Sequence, residues 1–415
     1  MKIRNMIITM ACVLLLSGLA SAAPVTVDIQ QITHGPRHHF FGYIGHVRTI
    51  PWNASGRYIL ALRTDFQERM PGAKDAADVM LIDTQNNYTA EKIEESRGWN
   101  FQQGTMFYWN PDVAETQFFF NDRDPETGKV FCVLYDISTR KRVKEYRFED
   151  TPVGNSGVMQ GGGHFMAINY ARLARLRPVT GYPDAWDWTE GVVHPFDDGI
   201  FKVNIKTGEK TLIASYAQIA AKLRPSRPDV DQRALFINHT LCNRDDDRVY
   251  FFARGDFRQP DKINHPFTMN TYGGALTLHE QHIGGHPEWA EGHHMLGNVD
   301  GAQAVYDTDT KKVVGALGDR KIFPNPEGDI ALSPDGTWFV NGNKRGDKIY
   351  YTFYRMADGL VVKGGPMEIG EFRKGELRID PGPDWNREGN AILVPGLGDD
   401  GTRQLFVLRL KGMDE

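Results

Sequence analysis

Cysteine is scarce in this chain of 415 residues, which contains three, at positions 12, 132 and 242. Two cysteines beyond the N-terminal segment cannot build the disulfide framework that holds many small secreted domains together. We expect Cys132 and Cys242 to be buried thiols that behave as small hydrophobic side chains, with a single bridge between them as the alternative. The fold must therefore be held mainly by its hydrophobic core.

Long apolar runs are absent except at the N-terminus. There, two basic residues precede an apolar run over residues 6–19, and Ala20-Ser21-Ala22 follows it, which is the layout of a cleaved secretory signal. Residues 1–22 are therefore predicted to be a signal peptide and residues 23–415 the mature protein, periplasmic or secreted. The apolar run is too short to span a bilayer, so no membrane insertion is expected.

Blocks of like charge are missing as well. Lysine and arginine number 48 against 53 aspartate and glutamate, which gives a formal net charge of -5 and a pI near 6.2. A slightly acidic chain without a basic block is a poor partner for nucleic acid or an anionic membrane. Any cationic site must be local, and we expect a monomer.

What the sequence has instead is a repeated unit of short strands. In the first copy, residues 38–65, two segments rich in β-branched and aromatic residues flank a turn at Pro51–Gly56. Similar units recur near residues 101–120, 156–170, 238–253, 285–292, 329–341 and 380–395. Further strand pairs lie between them, so each unit has about four strands at a period of roughly 40–50 residues, which is typical of β-propeller blades.

The sequence therefore predicts an all-β fold, a seven-bladed β-propeller that forms a single domain. Helical periodicity is nearly confined to Tyr216–Leu223, and visible insertions cover residues 175–198 and 256–278. A strand at residues 25–29 is predicted to pair with the last unit, residues 404–410, because this pairing closes the ring and removes its edge strands.

Polar residues stand at the ends of the repeated strands. Ahead of the inner strands are His46, Gln103, His239, His286 or His282, Asp329 and Asp380. After the second strands are Arg63, Arg123, Tyr170, Arg172 and Arg254. Antiparallel strands joined by a short turn return to the side they left, so both sets are predicted at one mouth of the central channel. Such a mouth suits a small anionic ligand.

Each of these features has a structural alternative. An arginine after a strand can form an ion pair that fastens blades, and most of the thirteen histidines have structural roles. The Trp-Asn turns can be turn chemistry alone, with Trp52, Trp109 and Trp385 packed between blades. The histidines, glutamine and aspartates ahead of the inner strands could also hold a structural divalent cation near the axis, whose identity the sequence leaves unknown.

Five stretches together resemble one family. HHFFGYIGHVRTIPWN (38–53), WNFQQGTMFYWNPD (99–112), FFFNDRD (118–124), INYARLARLRPVTGYP (168–183) and DIALSPDGTWFVNG (329–342) are similar to secreted bacterial seven-bladed propellers that act on L-rhamnose-α-1,4-D-glucuronate ends of arabinogalactan, described as α-L-rhamnosidases and as lyases. Ulvan lyases and oligogalacturonate lyases are more distant relatives of this family. The resemblance covers nearly the whole mature chain, and it implies a catalytic histidine at the GYIGH position, which is His46.

Elimination at a uronate needs a base for the C5 proton, a cation for the carboxylate and an acid for the O4 leaving group. We assign His46 as base, Tyr170 or His239 as acid, and Arg63, Gln103, Arg123, Arg172, Arg254 and His286 to substrate binding. Net hydrolysis, a lyase for ulvan or oligogalacturonate, and a propeller that only binds an acidic plant or algal glycan remain open. Hydrolysis would need two placed carboxylates.

Overall fold

A computed structural model describes residues 24–42 and 49–413 of the chain. These residues form seven four-stranded antiparallel sheets, which are the blades of a seven-bladed β-propeller, as the sequence predicted. The predicted signal peptide and His46 lie outside the described residues, so both remain predictions.

The first strand, β1 (Thr26–Gln31), belongs to the last blade. Blades 1 to 4 contain, from the channel outwards, β2 (His38–Phe40), β3 (Tyr58–Thr64), β4 (Ala77–Asp83) and β5 (Thr89–Ser96); β6 (Tyr108–Trp109), β7 (Gln117–Arg123), β8 (Val130–Asp136) and β9 (Lys141–Tyr146); β10 (Gly154–Val158), β11 (His164–Ile168), β12 (Gly199–Asn204) and β13 (Lys210–Ser215); and β14 (Phe236–Cys242), β15 (Arg248–Gly255), β16 (Ile263–Asn270) and β17 (Thr277–Leu278). Blades 5 to 7 contain β18 (Gly284–Trp289), β19 (His294–Val299), β20 (Ala302–Asp307) and β21 (Lys312–Leu317); β22 (Asp329–Leu332), β23 (Trp338–Arg345), β24 (Lys348–Arg355) and β25 (Val361–Glu368); and β26 (Asp384–Trp385), β27 (Ala391–Leu397) and β28 (Arg403–Lys411), with β1 outermost.

The ring is closed by the two ends of the described chain. Strand β1 pairs antiparallel with β28, from Thr26 opposite Lys411 to Gln31 opposite Phe406. Blade 7 therefore takes three strands from the end of the chain and one from its beginning, as predicted. This pairing holds the segment that leads into blade 1 within blade 7 by backbone hydrogen bonds, so the ring does not open at its seam.

A tryptophan at the end of an inner strand fastens several neighbouring blades. The indole Nε1 of Trp109 in blade 2 donates to the carbonyl of Pro51 over 2.8 Å. Trp289 in blade 5 donates in the same way to Leu241 of blade 4, and Trp385 in blade 7 to Ala331 of blade 6. All three rings are buried, so each indole removes apolar surface from water while its N–H keeps a hydrogen-bond partner. The packing between blades predicted for Trp109 and Trp385 is confirmed, and Trp52 is also buried.

The turns after the inner strands are held by short polar side chains. Asn53 Oδ1 accepts the backbone N–H of Tyr58, and Asn386 Oδ1 accepts those of Asn390 and Ala391. These side chains replace backbone turn hydrogen bonds, which explains why Asn recurs there. The turns therefore fix where each inner strand ends.

Two α-helices lie outside the blades in the described part of the chain. Helix α2 (Tyr216–Leu223) occupies the one helical stretch that the sequence indicated, and Ser215 and Gln218 form a capping box at its start. Helix α1 (Tyr170–Leu176) was not predicted. It begins because the Asn169 side chain accepts the N–H groups of the second and third helical residues, Ala171 and Arg172. Helix α1 opens the insertion that precedes β12.

The state of the two cysteines and the length of the helices can both be compared with the sequence predictions. Cys132 and Cys242 are both free and buried, so the expected thiols are confirmed and a bridge between them is not formed. Among the described helices, none is long and apolar enough to cross a membrane.

Candidate active site

A cavity of about 250 Å³ opens at the end of the channel where the connections between blades meet. Its wall is built by residues from the starts of inner strands, from the insertion after α1 and from the β15–β16 connection. The side chains that matter for chemistry are Gln103, Arg177, Asn238, His239, Arg254, His282, His286, Glu327, Arg378 and Asp380.

Two histidines of the cavity sit on irregular backbone. His239 and His286 have φ of 63° and 51°, in the left-handed region that non-glycine residues rarely adopt. The ladder between β14 and β15 shifts register at His239, and that between β18 and β19 shifts across the segment that contains His286. A bulge re-aims a side chain that a regular strand would point elsewhere, and such strain concentrates at functional sites. Both rings reach the same cavity, with centroids 5.5 Å apart.

His286 is oriented by a carboxylate. Its Nδ1 is hydrogen-bonded to Oδ1 of Asp329, which lies at the start of the next inner strand. The other oxygen of Asp329 accepts the backbone N–H of Gly382 over 3.0 Å. Because an ionised carboxylate can only accept, Nδ1 carries the proton, and proton exchange with a ligand falls to Nε2. This arrangement is that of a positioned general base.

Two arginines give the cavity its positive charge. Cζ of Arg177 lies 4.1 Å from the ring centre of Phe257, and Cζ of Arg254 lies 4.9 Å from the same centre. Arg254 Nε donates to the amide oxygen of Asn264, whereas Nε and Nη1 of Arg177 have no hydrogen-bond partner among the described residues. Burial and the neighbouring Arg378 lower the pKa of Arg177 to about 10; burial and Arg177 lower the pKa of Arg254 to about 9. Both guanidinium groups remain charged at neutral pH, and an anionic ligand would relieve their repulsion.

The acidic residues of the wall are already engaged. Asp380 accepts hydrogen bonds from Nζ of Lys344 and from Nε of Arg378, each over 2.9 Å. Burial alone would raise the pKa of Asp380, but these two cations outweigh it, and the pKa lies below its usual range. Glu327 accepts a hydrogen bond from the side-chain amide of Asn298. The wall therefore offers cations and imidazoles to a ligand rather than acids.

Four of the predicted site residues meet in this cavity. Gln103, His239, Arg254 and His286 all line it, and Gln103 Nε2 donates to Oδ1 of Asn238 over 3.0 Å. Asp380 and His282, which the strand-end pattern also indicated, lie there too.

Two predicted arginines are used elsewhere. Arg63 forms an ion pair with Asp78 of the neighbouring strand β4 at 2.8 Å, so it fastens blade 1 internally. Arg123 is buried and donates to the backbone carbonyl of Ala73. Both stand near the end of the second strand of their blade, as Arg254 does, but only Arg254 turns towards the cavity, where Phe252 and Phe257 support its guanidinium. The strand position alone does not decide the direction of the side chain.

Tyr170 and Arg172 do not reach the cavity, contrary to the placement predicted for them. Helix α1 carries both into the core: Tyr170 stacks on Tyr182 with ring centres 4.3 Å apart and donates to the carbonyl of Asn155. Burial raises the pKa of Tyr170 well above its ordinary value. Arg172 is wholly buried and donates to the carbonyls of Leu235, Val192 and Val193 and to Thr189. Neither side chain can serve as an acid or a carboxylate ligand in this arrangement.

Sequence reasoning missed Arg177, Arg378 and Phe257. All three lie on connections outside the repeated strand unit, so no periodic signal marks them. For Arg177 and Phe257 the hint was the insertions at residues 175–198 and 256–278, because long loops on a rigid scaffold often carry function. Arg378 lies in neither insertion.

The divalent cation that the sequence left open as an alternative has no complete ligand set among the described residues. Across residues 24–42 and 49–413, no group of three or more His, Cys, Asp or Glu side chains is placed to hold a metal ion. His239 and His286 share the cavity, but the nearby carboxylates of Asp329 and Asp380 are held by His286, Lys344 and Arg378. The described donors therefore do not fit a metal site.

Fold and cavity together define a seven-bladed β-propeller with a cationic pocket that carries two histidines at one end of its channel. No family model matches the chain, and no curated protein matches it. Among solved structures, the chain is similar to an oligogalacturonate lyase in complex with manganese, with a TM-score of 0.58, 16% identity and coverage of 94% of this chain and 97% of that one. At this identity the likeness establishes the fold alone.

A second solved structure is the β-propeller domain of Cps50 (Swd1) from Myceliophteria thermophila, with a TM-score of 0.46 and 13% identity. The match covers 93% of this chain and 99% of that domain. A score this low carries no argument about the site.

Proposed function

We propose that this protein is a polysaccharide lyase that cleaves the uronate end of an acidic glycan by β-elimination. The observation that carries the proposal is the pair of buried guanidinium groups, Arg177 and Arg254, beside the Asp329-held His286. A uronate carboxylate placed against the two arginines is neutralised, which makes its C5 proton acidic enough to remove. The oligogalacturonate lyase of similar fold agrees with a uronate substrate, though its likeness to this chain is one of fold alone.

The proposed reaction uses the two cavity histidines in different roles. His286 Nε2 takes the C5 proton, the C4=C5 double bond forms, the C4–O4 bond breaks, and His239 gives a proton to O4 of the leaving group. Asp329 keeps His286 in the tautomer that can accept the proton. His46, which the family resemblance implies as the base, is the alternative to His286 for removal of the C5 proton, and the experiments below separate these two assignments.

The choice of a particular glycan as the substrate rests on the resemblance of the sequence motifs to the rhamnose-glucuronate family. We propose that the enzyme is exo-acting on terminal L-rhamnose-α-1,4-D-glucuronate in arabinogalactan-type glycans, working as a secreted or periplasmic monomer. The leaving group would then be rhamnose and the other product an unsaturated uronate. A cavity of about 250 Å³ is near the small end of ligand pockets, which suits one terminal unit better than a long segment.

Net hydrolysis of the same bond, as an α-L-rhamnosidase, is the second candidate. It would need an acid and a second carboxylate facing the substrate. The carboxylates in the wall, Asp380 and Glu327, are bound to Arg378, Lys344 and Asn298. This engagement favours elimination.

The decisive experiment incubates the mature protein with gum arabic and follows two products, free rhamnose and the ultraviolet absorbance of the C4=C5 double bond. Elimination predicts that both appear together and in equal amounts. Rhamnose without the absorbance would establish hydrolysis instead. Oligogalacturonate and ulvan are tested in parallel. If the absorbance appears with only one of them and not with gum arabic, that glycan is the substrate.

Absence of turnover on all three glycans would leave a propeller that only binds acidic glycans. Calorimetric titration with the same glycans then shows whether binding occurs. A carboxyl-reduced glycan is the matched ligand control, because it keeps the sugar rings and removes the charge that Arg177 and Arg254 would bind.

A further inference from the structure

The connection from blade 6 to blade 7 lies beside the cavity. Residues 372–379, named the strap, form a closed loop, because the N–H of Ile379 donates to the carbonyl of Phe372 over 2.9 Å. Both of these residues are buried, and Cζ of Arg403 lies 4.6 Å from the ring centre of Phe372. The base of the strap is therefore anchored in the core.

The tip of the strap reaches a distant blade. Glu376 forms an ion pair with Arg258, which lies on the connection between β15 and β16 of blade 4. On the other side, Gln102, from the connection between blades 1 and 2, donates from Nε2 to the carbonyl of Arg378 over 2.9 Å. In a ring of seven, blade 4 is a neighbour of neither blade 6 nor blade 7. The strap must therefore extend across the mouth of the channel to make the contact with Arg258.

The Glu376–Arg258 pair, named the latch, lies at one side of the mouth and does not line the cavity. Arg258 and Glu376 are absent from the cavity wall, but their neighbours Phe257 and Arg378 are part of it. The latch side chains are 76% and 44% exposed. An exposed ion pair is weak and is screened by salt, so the tip can release while the buried base stays in place.

We propose that the strap makes the cavity a dead end, and that the latch between Glu376 and Arg258 determines specificity for glycan chain ends. This inference rests on the proposed uronate lyase function. With the latch closed, a glycan enters with its terminal unit and has no exit across the rim of blade 4. An interior segment needs two open sides, and the strap closes one of them.

The test uses uronate-containing oligosaccharides of increasing length and separates terminal from internal cleavage products by chromatography. We compare the parent with Glu376→Gln, Arg258→Gln and the double variant. The matched control is Glu91→Gln, which breaks the exposed ion pair at 2.8 Å between Glu91 of the outer strand β5 and Arg140 in the turn before β9, away from the cavity. We expect the parent and the control to release terminal products only.

Both single latch variants should yield internal products in similar proportion, and the double variant should add nothing further, because each single change already breaks the same pair. Terminal release should fall by no more than about fivefold, since an exposed pair contributes little. High salt should move the parent towards the behaviour of the variants. Internal products from the parent at low salt, or latch variants that match the control, would overturn the proposal.

A parent that turns over neither these oligosaccharides nor gum arabic, oligogalacturonate or ulvan refutes the proposed function instead. The role of the strap is then tested by calorimetric titration, which measures the affinity of parent and latch variants for the same oligosaccharides of increasing length. Affinity of the parent should not grow with chain length, whereas affinity of the latch variants should, because more units can be held once the rim opens. Affinity that is equally independent of length in parent and variants would overturn the role of the strap.

Discussion

Asp329 joins His286 to the following blades: one carboxylate oxygen accepts Nδ1 of His286, and the other accepts the backbone N–H of Gly382. Three successive blades thus converge on one carboxylate, because His286 belongs to blade 5, Asp329 to blade 6 and Gly382 to the start of blade 7. The position of the His286 ring is consequently a product of the ring of blades itself. A change at Asp329 should be felt at His286 without any contact to the substrate.

His286→Gln should lower kcat by about 10²–10⁴-fold, because it removes a general base while keeping polarity and approximate size. Asp329→Asn should also lower kcat, with KM nearly unchanged, because the tautomer and orientation of His286 are no longer fixed. Steady-state kinetics on the active glycan measures both. Circular dichroism and the melting temperature serve as controls for folding. A folded His286→Gln variant with parental kcat would exclude His286 as the base.

His46→Gln tests the residue that the family resemblance implies. If His46 is the base, turnover is abolished in this variant while the fold and ligand binding persist. Comparison with His286→Gln in the same assay separates the two assignments. Parental turnover in His46→Gln would remove His46 from the mechanism and leave the described cavity as the catalytic centre.

Arg177→Gln and Arg254→Gln should raise KM for the acidic substrate. A charged hydrogen bond to a carboxylate is worth about 1.5–3 kcal/mol, which corresponds to roughly ten- to hundredfold weaker binding. Arg63→Gln is the matched control, because Arg63 pairs with Asp78 and does not line the cavity. Binding of a carboxyl-reduced glycan should not respond to any of the three changes. Equal losses for charged and reduced ligands would point to a purely structural role.

Glu288 should make the protein less stable as pH rises. Burial raises the pKa of Glu288 from 4.5 to about 8, so between these values the folded state binds a proton that the unfolded state has released. The free energy of unfolding then falls with rising pH across that window. Glu288→Gln keeps an acceptor for the N–H of Leu332 and never ionises, so its melting temperature should exceed that of the parent by a margin that widens from pH 5 to 8, as the folded pKa of about 8 implies.

The control for this measurement is Glu126→Gln, at an exposed turn position. The difference in melting temperature between Glu126→Gln and the parent should stay constant from pH 5 to 8. A margin for Glu288→Gln that stays flat or narrows with rising pH contradicts the predicted linkage.

The two thiols should be inert in the native protein. Burial raises the pKa of both Cys132 and Cys242, so little thiolate forms and reagents cannot reach the sulfur. Mass spectrometry after treatment with a thiol reagent should show no addition to the native mature chain and two additions after denaturation. A reductant should leave the melting temperature unchanged. A melting temperature that drops with reductant would instead indicate a disulfide.

The strand repeat could be recognised in the sequence because it depends only on residues that are close together in the chain. Apolar alternation, Trp-Asn turns and the count of about four strands per unit all depend on residues within one unit. From these features the sequence predicted seven blades and the pairing of β1 with β28. The same repeat placed Gln103, His239, Arg254 and His286 together, because position within a blade determines height along the channel. These features were determined by the sequence itself.

Side-chain direction and insertions were decided by the tertiary structure. Arg63, Arg123 and Arg254 hold similar strand positions, yet Asp78 captures the first, the Ala73 carbonyl the second, and only the third faces the cavity. Tyr170 and Arg172 turned inwards because Asn169 starts a helix that the strand repeat does not announce. Arg177 and the strap are positioned by contacts between segments far apart in the chain, which no local pattern encodes. Local periodicity thus specifies the ring, whereas the charge that its cavity presents depends on partners that meet only after the ring has closed.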